Sequence, residues 1–311
     1  MPTLPRKSRG GAPKKTAPPP RAALCFGSHL SVAGGLHLAL EEAQRLEFQC
    51  VQIFVKNQRQ WAARPLDDAA VQTWRDTAAR TGIAPAVAHA SYLVNLASPD
   101  ETLWERSIRA FIEELHRCDQ LGVAGLVLHP GAHLGGGVSV GCRRVAAAID
   151  RIVAETSGGT TQIWLEITAG QGSSLGSRFE EIGEMIAATP DATRIGVCFD
   201  TCHALAAGYQ FDTAERYAAT FDEFERAIGL SRLKCFHLND SVRECGSRVD
   251  RHAHLDRGHV GRTAFARILQ DPRFAGLPMI LETPKGKDPE SGSDFDTINL
   301  ALLRELALHP L

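Results

Sequence analysis

Eight short apolar runs alternate with stretches of helical period along this chain, and that alternation restricts its possible architectures more than any other feature. The runs, rich in Val, Ile, Leu, Phe and Cys, cover residues 23–27, 50–55, 85–89, 125–129, 162–167, 195–200, 233–238 and 278–282. Helical periodicity predicts helices over 34–46, 66–81, 99–121, 138–156, 177–188, 213–228, 263–269 and 294–306. Strands buried on both faces read as continuous apolar runs, and parallel strands need a crossover helix to return. Eight strand-then-helix units is the count of a closed (β/α)8 barrel, an α/β fold of the TIM-barrel type. The 311 residues suffice for one such domain, expected over 22–311.

Ahead of it, residues 1–21 hold six basic side chains (Arg6, Lys7, Arg9, Lys14, Lys15 and Arg21), no acidic one, and the run Pro18-Pro19-Pro20. Such a composition predicts a disordered basic tail. No apolar run is long enough to span a bilayer and the N-terminus lacks the apolar core of a secretion signal, so a cytoplasmic protein with no membrane partner is expected. The eight cysteines are scattered, several inside strand-like runs where a free thiol behaves as a small hydrophobe, which argues against a disulfide framework. A formal charge of −2 argues against a generally basic nucleic-acid binder, though not against a local positive site.

The ends of the runs carry the chemistry. The third ends in His89, the fourth in His129, the sixth in Asp200 and the eighth in Glu282, while Glu166 lies near the end of the fifth and His237 near that of the seventh. In a (β/α)8 barrel the C-terminal strand ends converge on one face, where active sites are built. Any one of these residues is unremarkable; six consecutive units delivering a metal-competent group to one face is not. His203 follows Asp200 by three residues across a short turn, and Asp250 and His252 stand two apart in an extended loop after the seventh run, on one side of it. These nine candidates, five imidazoles and four carboxylates, would occupy three zinc ions at about three protein ligands each, some bridging, with positions left for water.

Four carboxylates offset four of the six positive charges of three divalent ions, so the site would remain positive and attract a phosphodiester. Closely spaced metal ions suit phosphate-ester hydrolysis, and no dinucleotide fingerprint is present to suggest hydride transfer. Two segments at the same face, Lys56-Asn57-Gln58-Arg59-Gln60-Trp61 and Ser91-Tyr92-Leu93-Val94-Asn95, mix phosphate donors with flat or apolar side chains able to enter a base stack, which points to a polynucleotide.

Taken together, the strings GSHLSVAGGL, FVKNQRQW, HASYLVNLASP, LHPGAH, TAGQGSSLG, GVCFDTCHALAAGY, FHLNDS, GSRVDRHAHL and LETP, in that order from about Phe26 to Glu282, closely resemble endonuclease IV, the zinc-dependent apurinic/apyrimidinic endonuclease family of base-excision DNA repair. The resemblance implies a monomeric hydrolase that cuts the phosphodiester 5′ to an abasic site in duplex DNA, leaving a 3′-hydroxyl and a 5′-deoxyribose phosphate, with 3′-blocked ends as further substrates. It implies three Zn2+ per chain, with Mn2+ able to stand at some positions. His89, His129 and Glu166 would hold one ion; Glu166 would bridge to a second held by Asp200, His237 and Glu282; His203, Asp250 and His252 would hold the third. Glu166 is thereby the expected catalytic group, and Arg59, Tyr92 and Leu93 are the residues expected to enter the duplex at the lesion.

Two departures from the family pattern stand out. Ile167 follows the bridging glutamate where the family commonly has Asn, and Ala253-His254-Leu255-Asp256-Arg257-Gly258-His259 replaces a glycine-rich, less acidic turn. Two other readings stay open on the residues: a sugar isomerase of the xylose-isomerase type, which shares barrel and metal-ligand types, and a protein that recognises abasic DNA without cutting it.

Overall fold

The structure is a computed structural model describing residues 24–309, so the basic tail expected over 1–21 lies outside the described residues. Eight parallel strands close into a barrel: β1 (Cys25–His29), β2 (Cys50–Ile53), β3 (Ala86–His89), β4 (Gly125–Leu128), β5 (Gln162–Glu166), β6 (Ile195–Asp200), β7 (Leu233–His237) and β10 (Pro278–Leu281). Each pairs with its sequence neighbour, and β10 sits between β7 and β1 to close the ring. The eight expected helices are present as α1 (His37–Arg45), α2 (Asp68–Thr81), α3 (Glu101–Leu121), α4 (Val138–Glu155), α5 (Phe179–Ala188), α7 (Ala214–Ala227), α8 (Arg262–Gln270) and α9 (Phe295–Leu308). Among the described residues no helix is long and apolar enough to cross a membrane.

A short helix and a hairpin after the barrel strands β6 and β7 were not expected. Thr201–Ala207 forms a short helix, α6, where the sequence suggests a turn. Asp200 is its N-cap: Oδ1 accepts from the His203 backbone N–H at 2.7 Å, satisfying an otherwise orphaned donor. Seven residues show too little periodicity to mark a helix, but Asp three places before His is a capping spacing. After β7 the chain makes a two-stranded antiparallel hairpin, β8 (Asp240–Ser241) and β9 (His252–Ala253), with Ser241 opposite His252. The segment read as a loop is therefore pinned at both ends.

Strand alternation builds the interior in tiers. One tier of the barrel floor is Cys50, Val87, Val127, Trp164, Cys198, Cys235 and Ile280, all buried. The Trp164 indole fits because glycines lie against it on β4 and β6: a Cβ on Gly125 would lie 2.1 Å from the ring and one on Gly196, the register partner of Trp164, 2.7 Å from it. Two residues further along each of the same seven runs come Gln52, His89, His129, Glu166, Asp200, His237 and Glu282. The outward residues lock this phase. Phe199 and Phe236 pack on each other at 5.7 Å between ring centroids, and against Phe221 and Phe274, beneath the helices. With each such ring contributing about 1.5–3 kcal/mol of burial, a one-residue slip that turned Asp200 or His237 away from the axis would swing the aromatic into the barrel and press the polar group against the helices.

Candidate metal centre

Glu166 is the hub. Its carboxylate is fully buried and meets four imidazoles: Oε2 lies 3.1 Å from His89 Nε2 and 3.2 Å from His129 Nε2, and Oε1 lies 3.1 Å from both His203 Nδ1 and His237 Nδ1. His237 Nδ1 is also 3.2 Å from Glu282 Oε2 and 3.8 Å from Asp200 Oδ2. A third cluster adjoins it: Asp250 Oδ2 is 3.2 Å from His203 Nε2, and Asp250 Oδ1 is 3.4 Å from His252 Nε2. The structure thus brings all nine candidate donors to one face of the barrel. Their donor atoms fall into sets within 4.8 Å, among them His89–His129–Glu166, Glu166–Asp200–His237–Glu282 and Asp200–His203–His252.

Asp200 therefore reaches further than the sequence suggests, since its Oδ2 is also 3.7 Å from His252 Nε2. The same criterion groups Cys202 with Asp250 and His252, but burial pushes the Cys202 thiol up to about 12, and its Sγ sits against the Arg251 carbonyl at 3.6 Å.

The imidazoles are oriented from behind. His89 Nδ1 lies 2.8 Å from the Ala90 carbonyl, His203 Nδ1 3.0 Å from that of Ile167, and His252 Nδ1 3.3 Å from that of Glu282. Protonated there, each presents a bare Nε2 to the site, the arrangement expected of metal-ligating histidines. The departure at Ile167 leaves this intact, because the contact is to the main chain while the isoleucine side chain packs into the core. Asp200 is held by its cap and by Asn239, whose Nδ2 donates to Oδ2 at 2.7 Å. Gln52 touches Glu282 and His237. Neither Asn239 nor Gln52 was among the sequence candidates, although a glutamine inside the apolar run 50–55 is a visible anomaly.

These donors fit metal ions on their own chemistry. His203 Nε2 and His252 Nε2 face each other at 3.4 Å beside the Asp250 carboxylate, and in the neutral forms, with both Nδ1 atoms donating to carbonyls, no hydrogen would lie between them. Lone pairs so gathered call for a cation. Around Glu166, burial alone would push its carboxyl up, yet the imidazoles of His237 and His129 hold it well below the usual carboxylate range. Burial likewise works against Glu282 and Asp250, but His237 holds the first well below that range and His203 holds the second at about 2. His203 and His237 go the other way: burial favours their neutral forms and the surrounding carboxylates more than reverse it. The set demands positive charge, from protons or from cations.

The three residues expected to enter DNA border the same face. Tyr92 is 63% exposed, with its ring tilted beside His89 at 5.5 Å and His129 at 6.3 Å between centroids. Arg59 is exposed and Leu93 half-buried. The two loops carrying them are joined: Ser91 Oγ donates to the Gln58 carbonyl at 2.8 Å. Beneath the loops, the Ser91 backbone N–H donates to Glu114, and Lys56 Nζ sits 3.5 Å from the same carboxylate.

Comparison with known proteins sharpens this picture. The family described as "Xylose isomerase-like TIM barrel" matches residues 40–299. A Chloroflexus aurantiacus protein named probable endonuclease 4 is 50% identical over 281 residues, spanning 90% of this chain and 97% of that protein. The chain belongs to the endonuclease IV family of nucleases. The crystal structure of endonuclease IV from Thermus thermophilus superposes with a TM-score of 0.78 at 40% identity, covering 91% of this chain and 98% of that one. A D-tagatose 3-epimerase-like protein reaches a TM-score of 0.70 at 18% identity over 91% and 97% of the two chains, a likeness of fold alone.

Proposed function

We propose that this member of the endonuclease IV family hydrolyses the phosphodiester 5′ to abasic sites in duplex DNA at a trinuclear zinc centre, leaving 3′-hydroxyl and 5′-deoxyribose phosphate ends. The observation that carries the reading is the convergence of five imidazoles and four carboxylates on one barrel face around Glu166. His89, His129 and Glu166 would hold one ion, Glu166, Asp200, His237 and Glu282 a second, and His203, Asp250 and His252 a third. Bound there, such ions supply Lewis-acid stabilisation of phosphoryl oxygens and an acidified water.

The protein's own part is positioning and exclusion. Glu166, ionised and fully buried, ties the first two donor sets together, which makes it the catalytic hub. Arg59 offers a phosphate donor, and Tyr92 and Leu93 offer surfaces that can replace base stacking when the lesion nucleotide leaves the helix. The Tyr92 ring stands tilted beside two of the candidate ligands, His89 and His129, so a nucleotide displaced past it would arrive at the donors. We propose that the chain acts as a monomer, inside the cell, on DNA with abasic sites or 3′-blocked ends.

The test is a nicking assay with zinc-loaded protein on a duplex carrying one tetrahydrofuran abasic analogue. A single cut 5′ to the analogue, with ligatable 3′-hydroxyl ends, is the expected result. Lesion binding without a cut would show a recognition protein instead, and turnover of an aldose without any cut would show a sugar isomerase.

A further inference from the structure

We propose that Gln52 is a positioning residue of the second ion's site, setting the tautomer of His237 and the orientation of Glu282. The inference rests on the metal-centre reading above. β2 is the one among the seven runs of the floor tier whose upper residue is neither imidazole nor carboxylate: the position filled elsewhere by a candidate ligand holds a neutral amide, fully buried. Its Oε1 is 2.8 Å from His237 Nε2, and its Nε2 is 2.5 Å from Glu282 Oε1 and 2.9 Å from His29 Nδ1.

The amide can sit only one way round. Turned over, its carbonyl oxygen would lie against the Glu282 carboxylate, two acceptors in contact with no hydrogen between them. Held as it is, Oε1 accepts from His237, so the His237 proton resides on Nε2 and the lone pair on Nδ1. Nδ1 is the nitrogen that faces Glu166, Asp200 and Glu282. The other end of the amide engages Glu282 Oε1 and leaves Oε2, the oxygen nearer His237, for the ion. One side chain thereby orients two ligands of the same site.

His237 is unlike its neighbours in this respect. His89, His203 and His252 are each set by a main-chain carbonyl, which no substitution removes, whereas His237 depends on a side chain. It also coordinates, on this reading, through Nδ1 where the others present Nε2. Without Gln52 both of its tautomers would be open to it, and Glu282 Oε1 would be left to its 3.2 Å contact with His29 Nδ1.

The experiment titrates zinc-loaded full-length protein with a chromophoric chelator, comparing wild type with Gln52→Met, which keeps the volume and removes the amide. One zinc of the bound set should weaken by roughly 10- to 100-fold in the variant while the others hold their affinities. Equal affinities for every zinc in variant and wild type would overturn the proposal and leave the metal centre standing. A wild-type chain that binds no zinc would overturn both. A second measurement needs no variant: in a long-range 1H–15N spectrum of the zinc-loaded wild type, His237 should carry its proton on Nε2, and a proton on Nδ1 would overturn the assignment.

Discussion

Glu166 differs from the other three carboxylates in that each of its oxygens faces a pair of imidazoles, His89 and His129 at Oε2 and His203 and His237 at Oε1. Glu166→Gln replaces one oxygen with an amide that cannot accept, removes the charge and leaves the surrounding imidazoles without their counterion. Under the proposed function it should lower turnover on the tetrahydrofuran duplex by at least about a hundredfold, the scale of losing a central electrostatic group. A rate within tenfold of wild type, with full zinc content, would remove Glu166 from the catalytic role. His203→Ala should behave differently: it takes a donor from the third cluster and one flank of Glu166, so metal counting should show one ion lost and the remainder retained. These residue types and spacings were legible in the sequence, because a strand end in a barrel has one destination. The groups that hold them were not. Gln52 and Asn239 act through amides whose partners lie far off in sequence, and nothing in the local pattern names those partners.

At the scale of elements, the decisive contact is between α3 and the two loops that carry Arg59 and Tyr92. Lys56 and Glu114 are both almost completely buried, side chains 1% exposed each, and Lys56 Nζ also donates to the Trp61 carbonyl at 2.7 Å. From the same helix Arg117 donates to the Val55 and Arg64 carbonyls, and Arg106 stacks over Trp61 at 4.4 Å. Removing one partner of a buried pair leaves an uncompensated charge and costs about 3–5 kcal/mol. Lys56→Met should therefore destabilise the fold by that order in denaturant melts. It should also raise KM for abasic duplex more than it lowers kcat, since the loops loosen while the donor cluster stays. The deficit should depend on pH in a definite sense. Burial raises the Glu114 carboxyl above its ordinary value even with Lys56 beside it, and a raised folded-state value favours the folded protein at low pH and is lost as pH climbs. In the variant the stability gap to wild type should narrow as pH falls from about neutral to mildly acidic; a gap that widens would mean the carboxylate finds another cation. Runs and periodicity located the barrel strands and eight of the helices to within a few residues. They missed α6 because seven residues buried on nearly every side lack a polar face, and the β8–β9 hairpin because two-residue strands carry no alternation.

For the molecule as a whole, the formal charge of −2 and the proposed polyanionic substrate set a problem that the site must solve locally. Stability and binding should both reveal the solution. Ions that bind the folded chain and not the unfolded one stabilise it by mass action, about 2.7 kcal/mol for each site at a hundred times its Kd. Stripping zinc with a chelator should accordingly lower Tm by several degrees, with recovery on adding zinc back. The DNA-binding consequence is sharper. Under the proposed function three bound ions would make the face net positive, whereas without them Glu166, Asp200, Asp250 and Glu282 stand where the phosphate should lie. Affinity of the stripped protein for a fluorescently labelled abasic duplex, read by anisotropy at low salt where backbone attraction is strongest, should fall by more than about tenfold. Protonation of His89, His203 and His237, which the surrounding carboxylates favour, would substitute for the ions in part, so the loss should be larger at mildly alkaline pH than at mildly acidic pH. Equal affinity with and without zinc at both pH values would place the phosphate anchor in the loops and not at the barrel's mouth.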